Sequence, residues 1–119
     1  MKFAILSDIH SNLEALQVVL ADTKAQQCTH YVCLGDIVGY GPNPLECLEA
    51  VRALNCPTVI GNHDEYCASD IDLTGFNPMA ADAIKCVWVM AARTPKRCER
   101  CQGRRLRTPW KKVTCCPLV

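Results

Sequence analysis

Three short apolar segments of this chain alternate with two longer segments that have the apolar spacing of amphipathic helices. The apolar segments are Met1 to Leu6, Thr29 to Leu34 and Pro57 to Ile60. Their length and their content of branched and aromatic side chains predict buried β-strands. Residues 12–27 and 44–54 lie between them and have leucine and valine at helical intervals, which predicts one helix in each connection. This alternation predicts an α/β fold with a parallel sheet in β-α-β-α-β order.

Residues typical of helix starts support these boundaries. Ser11 is followed three residues later by Glu14, a capping-box pattern that predicts the start of the first helix. Asn43 is predicted to cap the second helix, with Pro44 in its first turn. A further helix is predicted to begin at Asn77-Pro78.

Each predicted strand is followed at once by residues that can bind a metal ion. They are Asp8 and His10 after the first strand, Asp36 after the second, and Asn62, His63 and Asp64 after the third. Because the carboxyl ends of parallel strands lie at one edge of a sheet, we expect the three clusters to meet in space. These side chains suit Mn²⁺, Fe or Zn²⁺ better than metals that prefer sulfur. Asp36, on the middle strand, is placed to bridge two cations, an arrangement used to hydrolyse phosphate esters.

His63 lies between a potential ligand, Asn62, and a second carboxylate, Asp64. Such surroundings favour a protonated imidazole, which can stabilise a transition state or donate a proton to a leaving alkoxide. His30, at the start of the second strand, is predicted instead to be a partly buried structural histidine.

Three motifs of the chain resemble the first three blocks of the calcineurin-like metallophosphoesterase family. They are Asp8-Ile9-His10, Gly35-Asp36-Ile37-Val38-Gly39 and Gly61-Asn62-His63-Asp64. The segment Gly39-Tyr40-Gly41-Pro42-Asn43-Pro44 is similar to the small prokaryotic phosphodiesterase and phosphatase branch in particular. The resemblance extends from Met1 to about Lys85.

The resemblance implies a role for each of these residues. Asp8 and His10 would hold the first metal ion, Asp36 would bridge, and Asn62 would hold the second. His63 would be the acid or electrostatic catalyst, oriented by Asp64. Two divalent ions (Mn, Fe, Zn or Ni), a phosphate mono- or diester substrate, and an αββα sandwich fold are implied as well.

The chain also departs from the family pattern. Family members continue with further histidines, including a Gly-His-x-His pair, that complete both metal sites, whereas this chain has only His10, His30 and His63. We therefore expect the parallel half of the αββα sandwich, truncated, with an incomplete second metal site. The missing half-sheet is expected to leave apolar surface exposed, which favours self-association.

Length and composition set further bounds. The 119 residues are enough for one domain with a modest core, and no apolar run reaches the roughly 18 residues of a membrane span. Met1-Lys2 leads directly into a strand rather than a signal peptide, so we predict a cytoplasmic location. Five cysteines within or beside the predicted elements are expected to be reduced thiols: Cys28, Cys33, Cys47, Cys56 and Cys67.

The charge of the chain changes sharply after residue 85. Residues 1–85 carry four basic and eleven acidic side chains, a balance of −7, whereas residues 86–119 carry nine basic side chains against Glu99, a balance of +8. From Cys86 onward the helical pattern is expected to fail. We therefore divide the chain into a domain of residues 1–85 and a basic, cysteine-rich tail of residues 86–119, whose origin in a shifted reading frame is one hypothesis.

The function predicted from these features is divalent-metal-dependent hydrolysis of a phosphate ester, impaired in this chain. The alternative is a non-catalytic remnant or binding module whose basic tail contacts nucleic acid or a protein. Cys98-x-x-Cys101 resembles half of a zinc knuckle, but adjacent Cys115-Cys116 is a poor second half.

Overall fold

The computed structural model describes residues 1–69 and 72–93 of the chain. Within them the elements are β1 (Phe3–Leu6), α1 (Leu13–Ala25), β2 (His30–Cys33), α2 (Pro44–Ala53), α3 (Asn62–Ala68) and α4 (Pro78–Arg93). The predicted α/β class is confirmed. None of the helices in this part of the chain is long and apolar enough to cross a bilayer.

The sheet is parallel, as predicted, but its third strand is reduced to a single bridge. β1 and β2 pair in parallel with Leu6 beside Cys33. Cys33 also forms a parallel bridge with Thr58, with its N–H donating to the Pro57 carbonyl and its own carbonyl accepting from Val59, both at 2.9 Å. The pairing stops there because the chain turns into α3 at Gly61, only three residues later.

The helix starts differ in detail from the predictions. Asn12, rather than Ser11, caps α1, and its Oδ1 accepts from the N–H of Ala15 at 3.0 Å. Asn43 is the N-cap of α2 as predicted, but its side chain makes no capping hydrogen bond. Helix α3 was not predicted, because seven residues are too few to show a helical period.

Helix α4 continues past the point where its apolar pattern was expected to fail. It runs to Arg93, and Val87 is 8% exposed within the core. The indole N–H of Trp88 donates to the carbonyl of Cys67 in α3 at 3.0 Å. Val87 and Trp88 therefore pack with the rest of the fold, whereas residues 94–119, including the cysteine pairs, lie outside the described residues.

The core lies between one face of the sheet and the helices. It contains Leu6, Leu16, Cys33, Ile37, Val38, Cys47, Leu48, Val51 and Val87. The five cysteines named above are free thiols, and two of them, Cys33 and Cys47, are fully buried.

The other face of the sheet is open, as expected for half of a sandwich. Phe3 is 53% exposed and Ile5 is 68% exposed. The prediction of partial burial for His30 is wrong, because its ring lies on this open face, 5.0 Å from the Phe3 ring between centroids. Its Nδ1 is 2.8 Å from the Thr29 hydroxyl.

Candidate metal centre

The first two predicted clusters meet at the carboxyl ends of β1 and β2. Asp8 and His10 follow β1, Asp36 follows β2, and one ligand atom of each lies within 4.8 Å of the others. Asp8 is exposed, while His10 and Asp36 are half-buried. Two carboxylates and an imidazole this close, at the edge of the protein, form a donor set that a divalent cation can reach from solvent.

All three residues of this group have left-handed backbone conformations. The φ angles are 53° for Asp8, 48° for His10 and 53° for Asp36. Positive φ is uncommon outside glycine and costs on the order of 1–3 kcal/mol per residue unless the surroundings impose it. Three such residues in one cluster indicate that the fold gives up backbone stability to point these side chains together.

Hydrogen bonds between the two loops hold this conformation. The backbone N–H of Asp8 donates to the Gly35 carbonyl at 3.2 Å, and that of His10 donates to the Asp36 carbonyl at 2.9 Å. The N–H of Ser11 donates to the Ile37 carbonyl at 2.9 Å. The parallel pairing of β1 and β2 thus continues as an irregular ladder through the loops, which fixes the first cluster relative to the second.

The orientation of the His10 ring identifies the nitrogen that is available to a metal. Nδ1 lies 3.3 Å from the Val38 carbonyl, which can only accept, so Nδ1 carries the proton. In the neutral ring, Nε2 is then the nitrogen with a free lone pair, and it lies 3.8 Å from Oδ1 of Asp8. A ligating histidine whose other nitrogen donates to a backbone carbonyl is the usual arrangement at protein metal sites.

Asp36 connects this pair of loops to the third cluster. Its Oδ1 accepts a hydrogen bond from the backbone N–H of His63 at 2.9 Å. Gly61 lies against the same carboxylate so closely that a Cβ at this position would overlap it. The start of α3 is therefore built around the Asp36 carboxylate, and only glycine at position 61 leaves room for it.

Asn62 is the first residue of α3, and its side chain is exposed. The main chain places it next to His63, beside Asp36, and no hydrogen bond in the described residues joins its amide to the Asp8–His10–Asp36 group. Its role as a ligand of a second cation therefore stays a prediction.

His63 is brought to the centre of the site. It is 9% exposed, and its ring centroid lies 4.9 Å from that of His10 at an interplanar angle of 78°. Its Nδ1 has no hydrogen-bond partner among the described residues, and a Cβ on Gly39 would lie 2.7 Å from that atom. Most buried polar side-chain atoms in proteins have a hydrogen-bond partner, and this nitrogen and the Ser11 hydroxyl are the exceptions among the described residues.

Asp64 differs from the role that the sequence analysis gave it. It is completely buried, and no hydrogen bond within the described residues joins it to His63. Its Oδ1 accepts from the N–H of Ile37 at 2.9 Å and of Val38 at 3.1 Å, and its Oδ2 accepts from Gly61 at 3.2 Å. The reason is helical geometry, because consecutive residues point about 100° apart and Asp64 faces back over the start of α3.

The Asp64 carboxylate therefore fastens α3 to the loop that carries Asp36. Burial raises its pKa above the ordinary value, and the backbone hydrogen bonds from Val38, Gly61 and Ile37 act in the opposite direction. The sequence identified this carboxylate, but two of its three partners, the backbone amides of Ile37 and Val38, are distant along the chain, and no local motif specifies them.

Sequence reasoning also missed Tyr40, which packs on both His10 and His63. The available signal was its position as an aromatic residue between two glycines in a turn that follows a predicted ligand.

The residues present fit one divalent cation. The Asp8–His10–Asp36 group offers two carboxylates and an imidazole nitrogen, and the glycine at 61 keeps the space beside Asp36 free of a side chain. A second cation would have Asp36 and the neutral amide of Asn62 as its predicted protein ligands, which is a sparse set.

The chain is similar to known proteins. A family model for calcineurin-like phosphoesterases matches residues 1–101. An uncharacterized protein of Methanocaldococcus jannaschii is 54% identical over 81 residues, which cover 68% of this chain and 33% of that protein. The crystal structure of a metallophosphoesterase from Sphaerobacter thermophilus shares 49% sequence identity, has a TM-score of 0.57, and covers 71% of this chain and 34% of that one. The chain thus spans about one third of the length of both.

The match covers most of the chain, and the motifs that the sequence analysis selected are the ones that build the Asp8–His10–Asp36 group. The chain belongs to the calcineurin-like phosphoesterase family.

Proposed function

We propose that this chain supplies part of the active site of a divalent-metal-dependent phosphoesterase that hydrolyses phosphate mono- or diesters. The observation that carries the proposal is the Asp8–His10–Asp36 group, whose members all have left-handed backbones and lie within 4.8 Å of one another. Asp8, His10 and Asp36 would hold one cation, and Asp36 and Asn62 would contribute to a second. Manganese is the metal we propose to test, and we propose a cytoplasmic location.

A cation bound there would supply positive charge for the phosphoryl oxygens and would make a water nucleophile available at neutral pH. The chain's own residues arrange the rest. The Val38 carbonyl holds His10 in the tautomer that presents Nε2, and the His63 amide holds one oxygen of Asp36, which leaves Oδ2 of that carboxylate for a cation.

We assign the role of catalytic acid to His63. Its ring lies beside that of His10, and its buried Nδ1 has no hydrogen-bond partner among the described residues. Protonated, it would stabilise charge on the phosphoryl group or give its proton to the leaving oxygen. Asp64 supports this arrangement indirectly, because its hydrogen bonds to Ile37, Val38 and Gly61 fix α3 against the loop after β2.

The sparse second site predicts slow turnover. Loss of one electrostatic element of this kind typically costs about 10²–10³-fold in rate. The alternative, a non-catalytic remnant or binding module, rests on the basic residues of the tail, and most of these lie outside the described residues.

Hydrolysis of bis(p-nitrophenyl) phosphate by the 119-residue chain separates the two functions. We expect slow turnover that requires Mn²⁺, stops on addition of a chelator, and is abolished by Asp36→Ala. The matched control is Asp22→Ala, which removes an exposed carboxylate from α1 and should leave turnover unchanged. Absence of both turnover and Mn²⁺ binding would support the remnant, and vigorous turnover would overturn the ligand count.

A further inference from the structure

Tyr40 has an unusual backbone conformation beside the metal centre. Its φ angle is 36°, in the left-handed region that bulky residues seldom adopt. The N–H of Gly41 donates to the Gly39 carbonyl at 2.6 Å, which closes a tight turn across Tyr40, and also lies 3.0 Å from the His10 carbonyl. Such strain persists only where the surroundings impose it, and it concentrates at functional sites.

The flanking glycines allow this turn to pack closely against the loop after β1. A Cβ on Gly41 would lie 2.5 Å from the His10 carbonyl oxygen, and a Cβ on Gly39 would lie 2.7 Å from Nδ1 of His63. The two glycines therefore allow the turn to approach both histidines, and Tyr40 between them is held directly over the site.

The ring of Tyr40 contacts both histidines and also faces solvent. Its centroid lies 5.1 Å from His10 at 72° and 4.8 Å from His63 at 50°. The residue is 51% exposed, and its hydroxyl makes no hydrogen bond within the described residues. Although it packs on two imidazole rings, Tyr40 therefore stays accessible to solvent next to the candidate ligands.

Two further aromatic rings continue the row of rings formed by Tyr40 and His63. The ring of Tyr66 lies 6.5 Å from that of His63, and Phe76 contacts Tyr66 at 4.9 Å with an interplanar angle of 85°. Both residues are half-buried, whereas Tyr40, at the other end of this row of rings, is exposed.

We propose that Tyr40 is a substrate-contacting residue whose ring stacks on a planar aromatic group of the phosphate ester. The phosphate would lie at the Asp8–His10–Asp36 group, and the aromatic group would lie against the exposed half of the Tyr40 ring. The preferred substrates would then be aryl or nucleotide-type esters rather than alkyl phosphates. This inference rests on the proposed function, because it requires the phosphate to bind at the metal centre.

The test uses calorimetry to compare the binding of phenyl phosphate and ethyl phosphate to the Mn²⁺-loaded 119-residue chain. The variants are Tyr40→Leu, which removes the ring, and Tyr40→Phe, which removes only the hydroxyl. Phe3→Leu is the matched control, because Phe3 is exposed to a similar degree as Tyr40 and lies at the start of β1, at the opposite end of the strand from the metal centre.

Aromatic pairing adds a modest increment beyond burial, so we expect phenyl phosphate to bind roughly two- to tenfold more tightly than ethyl phosphate. Tyr40→Leu should remove that preference and leave ethyl phosphate affinity nearly unchanged, while Tyr40→Phe and Phe3→Leu should keep it. Equal affinity for the two esters in the unmodified chain would overturn the inference, as would an equal loss in Tyr40→Phe. Failure of both esters to bind would instead refute the proposed function.

Discussion

The Asp64 carboxylate accepts a hydrogen bond from the backbone N–H of Ile37 at 2.9 Å, across 27 residues of sequence. The same carboxylate accepts from Val38 and Gly61, so it joins the start of α3 to the loop that presents Asp36. The geometry of the metal centre therefore depends on a side chain that we do not expect to touch the metal.

Substitution of Asp64 should destabilise the fold in a graded way. Asp64→Ala leaves three N–H groups without their acceptor, at a cost of about 3 kcal/mol or more in the free energy of unfolding. Asp64→Asn keeps an amide oxygen for Ile37 and Val38 but cannot accept from Gly61, so we expect it to lower the free energy of unfolding by about 1–2 kcal/mol. Urea unfolding measures both. Equal costs for the two variants would show that the backbone hydrogen bonds are not the source of the stability.

A pair of valines tests whether the residues after Lys85 belong to the folded unit. Val87 is 8% exposed and Val89 is 50% exposed on the same helix. Val87→Ala should lower the free energy of unfolding by about 1–3 kcal/mol because it leaves a cavity in the core. Val89→Ala, the matched control, should change it by less than about 0.5 kcal/mol. If Val87→Ala left the free energy of unfolding unchanged, α4 would not pack on the core in solution.

The sequence predicted the elements whose patterns are local. β1, β2, α1 and α2 were correct within one or two residues, because apolar periodicity and helix-start residues determine them. Helix α3 was not predicted, because it is too short to show a period and its first three residues were interpreted only as site residues that follow a strand. The left-handed conformations of Asp8, His10 and Asp36 depend on hydrogen bonds between two loops, and no window of sequence contains both partners.

The same limit applies to the roles of the site residues. Placement at the ends of strands was enough to predict that Asp8, His10 and Asp36 meet. It was not enough to predict the partners of Asp64, because a carboxylate in the first turn of a helix can bond its own helix, a neighbouring loop or a histidine.

Gly61→Ala should weaken metal binding although it removes no ligand. The new Cβ would overlap the Asp36 carboxylate and displace it. Disturbing the support of a ligand typically costs about 10–100-fold in metal affinity, which a Mn²⁺ titration measures.

Gly75→Ala is the control for that substitution. Gly75 has a φ angle of 88° and nothing within 4 Å of its Cβ position, so the variant strains the backbone away from the site. It should reduce stability without changing Mn²⁺ affinity. Equal loss of affinity in both variants would indicate general destabilisation rather than displacement of Asp36.

Cys67 should make the fold sensitive to alkaline pH. Burial, with a smaller contribution from the charge of Asp64, raises the pKa of Cys67 to about 12. Its pKa in the unfolded chain is about 8.5, so the stability it contributes is complete below that pH and is lost as pH rises toward 12.

Urea unfolding in reductant at pH 8 and pH 10.5 measures this effect. Cys67→Ala should lose less stability between the two pH values than the unmodified chain, because the groups common to both cancel in the comparison. An identical loss in the two proteins would show that ionisation of this thiol is not resisted by the fold.

Calorimetric titration of the 119-residue chain with Mn²⁺ tests the metal centre most directly. Asp8, His10 and Asp36 supply three ligands to one position, whereas the second position has only Asp36 and Asn62. We therefore expect at most one tight site, abolished by Asp36→Ala and unchanged by Asp22→Ala. Tight binding that persists in Asp36→Ala, or two equally tight sites in the unmodified chain, would contradict the assignment.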